Sequence, residues 1–425
     1  MSAVRVIVPQ TALLQIMDAV LELKLESFLR DKFVPHRAIW EGGRPKTQLM
    51  DIVSGLSLFV EKALDLFSRG AIAQEDVQQH YDTMSCIRIY RWLTRNGCPV
   101  PLAVACLRHQ LLPPLTLNLH GATASICNRC RGGLTGSRVA GQMGRVPVQA
   151  TIHAILPSLM KNAWSCEDVT LAVASYVDNV WFLSETAYQA TAMADLFASH
   201  LLQHWGQRIK PCGKQVLPVF NAPDDSITDD SWEVVSVMRV LGHLIDSNGS
   251  IDEDFKLTQK KMWRAFWSNA GTLSARHLPL RCKLSLLTRA TRCIADQHMV
   301  RWPFTAHRAG AVDRMQRKML QVCEFLRPSE GESAERFCKR RGRSASRLQQ
   351  RVGRWSVRWA AQVVKWDAHI RRDQNLSWPS QLLKVTTASE LQQRRWLWSR
   401  PRTRVTPGFT NARWTECVQH AVAYK

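Results

Sequence analysis

The sequence predicts an α+β core followed by an all-α, strongly basic C-terminal region. Three observations carry this reading. The centre mixes short strand-like apolar runs with helical patterns. From residue 253 onward the strand signals stop and apolar residues recur at helical spacing. Lys and Arg total 57 against 35 Asp and Glu, a net charge of +22, and the excess is densest in ERFCKRRGRSASRLQQRVGRWSVRW. With 425 residues and 45% hydrophobic content, the chain has volume for two or three domains.

Residues 11–30 read as an amphipathic helix with Leu13, Ile16, Met17, Val20 and Leu23 on one face. EGGRPKTQ is a loop, and 47–69 is a helix closed by Gly70. IAQEDV is a short strand carrying acids. Residues 83–112 are helical, broken at Asn96-Gly97 and Pro99. LTLNLHGATASICN alternates as strands do. GGLTGSRVAGQMGR is a glycine-rich turn entering a helix at VQATIHAILPSLMKNAW. VTLAVASYVDNVWFLSE reads as two strands turning at Tyr176-Val177-Asp178-Asn179. Ser184 is the expected cap of the next helix, whose inner face is Met193, Leu196, Phe197 and Leu201 and whose end is Gly206. VVSVMRVLGHLID is a further strand pair. Phe255, Met262 and Phe266 mark one helical face, 326–346 is expected to be a polar linker, and Trp355, Trp359 and Trp366 stand at helical spacing.

A pI near 9.9 points to a polyanionic partner, most simply nucleic acid. Lys339, Arg340, Arg341, Arg343 and Arg347 suit nucleic-acid contact or nuclear import better than an inert linker. No apolar run reaches the roughly 20 residues of a membrane span. The N-terminus lacks the pattern of a signal peptide, so an intracellular chain is expected, with a nuclear location compatible with its charge. The 12 cysteines then read as free thiols. Cys127 and Cys130 have metal-like spacing, but with only His120 nearby they do not make the four ligands of a zinc site.

Two acids interrupt apolar strands: Asp76 after IAQE and Asp178 after VASYV. An isolated Asp is most simply a turn or cap residue. Two carboxylates converging from neighbouring strands repel each other unless cations lie between them, and Mg²⁺ favours that oxygen chemistry. Two such ions about 4 Å apart serve phosphoryl transfer.

The residues around these acids resemble the reverse transcriptase domain of non-LTR (LINE-type) retrotransposons over roughly residues 3 to 372. EDVQQHYDTM resembles the family's first palm motif, Asp-x-x-x-Ala-Phe-Asp, with Asp82 at its last acid and His80 where a small residue is usual. RGGLTGSRVAGQ resembles the glycine-rich second motif, with Thr135 for Gln and Ala140 for Ser. Tyr176-Val177-Asp178-Asn179 resembles the Tyr/Phe-Ala-Asp-Asp turn, with Asn179 for the second acid. GQRIKPCGKQVLP and VLGHLID resemble the lysine-bearing segment and the primer-grip hairpin. AIWEGGRPKTQLMDIVSGL resembles a fingers block, and RWAAQVVKWDAHIRRD a post-thumb pattern.

The resemblance implies a right-hand polymerase fold: fingers remainder 1–75, palm with an antiparallel sheet 76–252, helical thumb 253–325, and the basic region 326–425. It implies an RNA-directed DNA polymerase working on an RNA template, a DNA primer and deoxynucleoside triphosphates. Asp76 and Asp178 would ligate Mg²⁺ (or Mn²⁺), and Lys214 would act as general acid. Tyr81 would contact the nucleotide sugar, Gly136 would line the nucleotide site, and Asn179 would stand beside the metals. No endonuclease segment, first fingers strand or Cys-Cys-His-Cys knuckle matches, so the chain resembles a divergent or fragmentary copy. An inactive nucleic-acid-binding remnant and an RNA-templated RNA polymerase are the competing readings.

Overall fold

The computed structural model describes residues 11–44, 47–66, 68–113, 115–119, 122–126, 131–134, 136–219, 231–302, 304–372, 377–384 and 414–424. It falls into two compact units: Met1–Ile52 with Phe67–Ser236, and Val53–Leu66 with Val237–Lys425. Cys127, Cys130 and Thr135 lie outside the described residues.

Unit 1 is built on a six-stranded mixed sheet. Its strands are β1 (Ile39–Glu41), β2 (Gly70–Asp76), β7 (Val173–Tyr176), β8 (Asn179–Ser184), β9 (Gln215–Val219) and β10 (Glu233–Val234), in the order β1-β7-β8-β2-β9-β10. The four middle strands are antiparallel. The outer pairs, β1 with β7 and β9 with β10, are parallel, which the sequence reading missed. β2 runs through the expected 75/76 border, and β1 also belongs to this sheet, so residues before 76 supply part of its frame. The expected strands 115–119 and 122–126 (β3, β4) form a separate hairpin, and a second, unexpected one pairs 164–166 with 169–171 (β5, β6), where Trp164 was read as helix and 169–176 as one strand.

Alternation along β2 fixes the two faces of the sheet. Ala71, Ala73 and Glu75 face the helix α7 (Ala187–Trp205), where Ala190, Met193, Ala194, Phe197 and Leu201 are buried with them. Phe182 on β8 meets Phe197 on α7 with ring centroids 5.6 Å apart. The other face carries Ile72, Gln74 and Asp76, opposite Leu183, Trp181 and Asn179 of β8. The indole Nε1 of Trp181 donates to Gln74 Oε1 at 2.8 Å. α7 is capped by Thr186, which accepts from Gln189, rather than by Ser184, whose hydroxyl donates to Asn162 O. Gly206 ends it with φ +69°, as its position in the sequence suggests.

α1 (Ala12–Lys32) is helical as read, but its rotation is not as expected. Leu13, Ile16, Met17, Val20 and Leu23 face solvent, from 48% exposed at Met17 to 70% at Leu13. The buried side is that of Asp18, Leu25 and Leu29. Asp18 decides the rotation. Its carboxylate accepts from Ser137 Oγ at 2.5 Å, His109 Nε2 at 2.8 Å, and the N–H groups of Arg138 at 2.7 Å and Val139 at 3.2 Å. The last two are the free N–H groups at the start of α6 (Arg138–Asn162). Burial alone would raise the Asp18 pKa, and the Ser137 hydroxyl and these N–H donors more than reverse that. The cap also starts α6 within the stretch read as a glycine-rich turn.

Among the described residues, the strands of unit 2 are the hairpin β11 (Val237–Val240) and β12 (His243–Asp246), which turns at Leu241-Gly242, both with positive φ, and its other elements are helices. Phe255, Met262 and Phe266 are buried on α8 (Asp252–Ser268), as their spacing implies. The remaining helices used below are α9 (Ala270–Ser274), α10 (Leu280–Leu287), α11 (Cys293–Met299), α12 (Ala306–Glu324), α13 (Ala334–Val352) and α14 (Trp355–Arg372). Trp355, Trp359 and Trp366 are buried along α14, so their helical spacing reports core packing. The expected linker at 326–346 is instead largely the helix α13, capped by Ser333. No helix among the described residues is long and apolar enough to cross a membrane.

Candidate active site

Asp76 is the last residue of β2, and Asn179, the first of β8, lies directly opposite it. Tyr176, the last of β7, lies directly opposite Asn179 on the other side. Tyr176, Asn179 and Asp76 therefore form one row across three strands, on the face away from α7. Direct neighbours in such a row have Cβ atoms about 5 Å apart. The two residues between β7 and β8, Val177 and Asp178, form the turn. Val177 has φ +59°, a conformation costly for a β-branched residue, while Asp178 keeps negative φ. The strain is held by the flanking pair Tyr176–Asn179 and by Val77 N, which donates to Asp178 O at 2.8 Å.

The two acids thus stand at the same end of the sheet, on either side of Asn179. The amide Nδ2 of Asn179 donates to Asp178 Oδ1 at 3.0 Å. A lysine ammonium meets Asp76, but it belongs to Lys210. A bridge between Val77 and Ile209 carries Lys210 there, and Lys210 N donates to Asp76 O at 2.9 Å.

The structure does not bring Lys214 to the acid pair. Lys214 Nζ lies 2.5 Å from Asp195 of α7 and 3.7 Å from Glu75, and 5.1 Å above the Trp232 ring. Glu75 points to the α7 face of β2, so Lys214 works on the opposite side of the strand from Asp76. Burial pushes the Glu75 carboxyl up to about 8, Lys214 lowers it and Asp195 raises it.

Below the acids sits His80, buried in the single-turn helix α3 (His80–Thr83). Its pKa is lowered by burial, against the opposing pulls of Asp178, the Gly144 carbonyl and Asp76, so the ring is neutral at pH 7. Both acids therefore act on one ring. Nε2 lies 2.9 Å from Gly144 O, an acceptor, so Nε2 carries the proton and Nδ1 accepts from Gln207 Nε2 at 3.2 Å. Tyr81 follows, its ring 5.3 Å from that of His80. A Cβ on Gly144 would stand 3.0 Å from His80 Nε2 and 3.2 Å from Tyr81 Cε1.

Gly136 has φ +103° in the exposed turn before α6. The glycines that reach the Tyr81 segment are Gly132 and Gly133. Gly133 N donates to Tyr81 O and Gly132 N to Met84 O, both at 2.9 Å. Gly132, at φ +81°, would put a Cβ 3.3 Å from the carbonyls of Tyr81 and Asp82. On the far side, Gly42 packs against Tyr176: its N–H donates to Ser175 O, and a Cβ there would fall 2.4 Å from Tyr176 Cδ2. Beside it Glu41 pairs with Arg44 and with His153 at 2.9 Å. Lys210, Gln207 and Gly42 are contributors that the sequence did not single out, and His80 was marked there only as a departure from the motif.

Among the described residues, one cluster has a metal-like composition: His243, Asp254 and His298 in unit 2. Its carboxylate is already used. Asp254 accepts from Arg301 and Trp302 at 2.7 Å, from His298 Nδ1 at 3.0 Å, and from Leu244 N at 2.9 Å. A buried guanidinium at that distance supplies the cation, so this is a structural ion-pair network.

No protein-family model and no curated protein matches the chain. Similar solved structures include telomerase from Candida albicans in complex with a TWJ fragment of telomeric RNA, at 11% identity over 92% of this chain and 59% of that one, TM-score 0.41. Apo telomerase from Candida tropicalis is 12% identical over 91% of this chain and 60% of that one, TM-score 0.42. This chain spans about three-fifths of those telomerases. With TM-scores below 0.5, no residue role is taken from either.

Proposed function

We propose that this chain is a template-directed nucleotidyl transferase, an RNA-directed DNA polymerase of the non-LTR retrotransposon kind. The observation that carries the proposal is the placement of Asp76 and Asp178 at one end of the sheet, either side of Asn179. Their donor set is all oxygen and anionic, which fits a hard divalent cation, and Asp76 and Asp178 would hold Mg²⁺ or Mn²⁺. Such ions, when bound, make a hydroxyl a better nucleophile and stabilise a leaving pyrophosphate.

The other roles belong to the chain's own groups. Lys210 neutralises one carboxylate and stands at the site as the proton donor, the role the sequence reading gave to Lys214. Lys214, tied to Asp195 and Glu75, positions the segment that carries Lys210. Neutral His80 seats Tyr81 against Gly144, and Tyr81 borders the nucleotide sugar. Gly136 lines the approach to the nucleotide. An RNA template, a DNA primer and deoxynucleoside triphosphates are the partners.

The test is extension of a labelled DNA primer on an RNA template. Wild-type protein is expected to extend it with Mg²⁺ or Mn²⁺, and Asp178→Asn to abolish extension while still binding the template. Binding by the wild type without extension under either ion would overturn the proposal. One observation favours a second reading, a nucleic-acid-binding chain without catalysis: Asn179 offers Asp178 an amide hydrogen where a second acid would offer charge. That reading expects binding of equal strength in wild type and Asp178→Asn, with no extension by either.

A further inference from the structure

We propose that unit 2 carries a binding groove of its own for single-stranded nucleic acid, formed by α10, α12 and α14. The groove is about 710 Å³. Its lining includes apolar Leu284 and Val357 and the cations Arg292, Arg354, Arg358 and Lys365. No Asp or Glu lines it. Two of the cations have acids behind them: Arg292 lies 3.1 Å from Asp296, and Arg354 lies 3.9 Å from Asp313. Arg358 and Lys365 are exposed and make no ion pair among the described residues. Arg358 and Lys365 share one face of α14, about 10 Å apart along its axis, and Arg354 stands immediately before the helix. Gln362, on the same wall, has a buried Oε1 without a hydrogen-bond partner.

The cations continue beyond the groove. Arg336, Arg343, Arg347 and Arg351 recur at intervals of seven and four along α13, all exposed, and α13 runs into the groove at Gly353. The stretch first read as a basic linker is thus a rigid cationic edge. A duplex would meet such an edge with phosphates alone. Apolar side chains set among cations suit an unpaired strand, whose bases rest on the former while its phosphates meet the latter. The site stands apart in the chain from Asp76 and Asp178 and does not depend on the transferase reading.

The test uses the full chain in EDTA, without nucleotides, so polymerisation plays no part. Anisotropy of a 12-nucleotide RNA, its DNA counterpart and an RNA duplex is titrated from 50 to 200 mM KCl. Four phosphate contacts to one strand give a slope of log affinity against log salt of about −2.8. Arg358→Glu with Lys365→Glu is expected to weaken single-strand binding at least tenfold and to flatten the slope by about 1.4. Lys24→Glu with Arg30→Glu, the same charge change on exposed α1 residues, is expected to cost less than threefold. Tighter RNA binding identifies an RNA ligand, and equal binding a strand read without its sugar. If the groove variant destabilises the fold, Arg358→Ala with Lys365→Ala reads the same slope. Equal losses in both charge-reversed pairs, or a duplex bound as tightly as the single strand, would overturn the proposal.

Discussion

Glu75→Gln isolates the proton that the buried face of the sheet holds beside the candidate site. Glu75 is fully buried one residue before Asp76. Lys214 stands 3.7 Å from it yet 2.5 Å from Asp195, so the ammonium is largely neutralised at Asp195 and burial dominates at Glu75. The carboxyl is pushed from 4.5 to about 8. Between those values the folded chain keeps a proton that the unfolded chain releases, so stability falls as pH rises across the window. The stabilisation is fully present below about pH 4.5 and lost by about pH 8. A shift of that size corresponds to a few kcal/mol, at about 1.4 kcal/mol per unit. Urea unfolding at pH 5, 6, 7 and 8 measures it. The wild type is expected to lose a few kcal/mol over this range more than Glu75→Gln, which cannot titrate. Other groups titrate in both proteins and cancel in the difference. Parallel pH profiles would mean that Glu75 is ionised throughout, paired with Lys214, and would refute the reasoning.

Gly42→Ala places a methyl 2.4 Å from Tyr176 Cδ2, about 1 Å inside ordinary contact. Displacing Tyr176 by that much, two residues before Asp178, is expected to slow primer extension by about a hundredfold while the fold survives, as kcat and thermal melting together show. Asp254→Asn leaves the buried guanidinium of Arg301 without its carboxylate and is expected to cost about 3–5 kcal/mol in urea unfolding. Asp18→Asn keeps one acceptor oxygen and, in its better orientation, turns its amide hydrogens toward the Arg138 N–H that now donates to Oδ2, and is expected to cost about 2–4 kcal/mol. Because the Asp18 pKa is lowered in the fold, its stabilisation is present above about pH 4 and fades on further acidification. The variant should therefore lose less stability than the wild type between pH 4 and pH 2.

What the sequence made legible was governed by local pattern. A two-residue alternation broken by an acid located β2 and the β7–β8 turn, and with them Asp76 and Asp178. The spacing of Phe255, Met262 and Phe266, and of the three tryptophans of α14, located buried helix faces. What was hidden was governed by distant partners. α1 has apolar residues on both sides, and only the acceptor role of Asp18 toward α6 selects the buried one. α13 was missed because its buried side is only Ala345, Leu348 and Gln349. Lys210 and Lys214 are four residues apart in an irregular stretch with no period to say which faces Asp76. The bridge between Val77 and Ile209 decides it.

That division of the two lysines changes what Asn179 means. Lys210 and Lys214 take consecutive acids of β2 on opposite faces, Asp76 toward the site and Glu75 toward α7. Among the described residues named on the site face, Asp76 and Asp178 are the acids and Lys210 is the base that pairs with Asp76, with His80 neutral. A carboxylate at 179 would face Asp76 across the strands at about 5 Å and replace the amide that now donates to Asp178 at 3.0 Å. Three acids would then converge against one lysine. Asn179 therefore reduces repulsion in the nucleic-acid-free chain and orients Asp178 through a hydrogen bond, at the expense of attraction for a cation. The same amide that stabilises the folded turn weakens the pull on a metal, so the site combines a well-held geometry with a diminished charge.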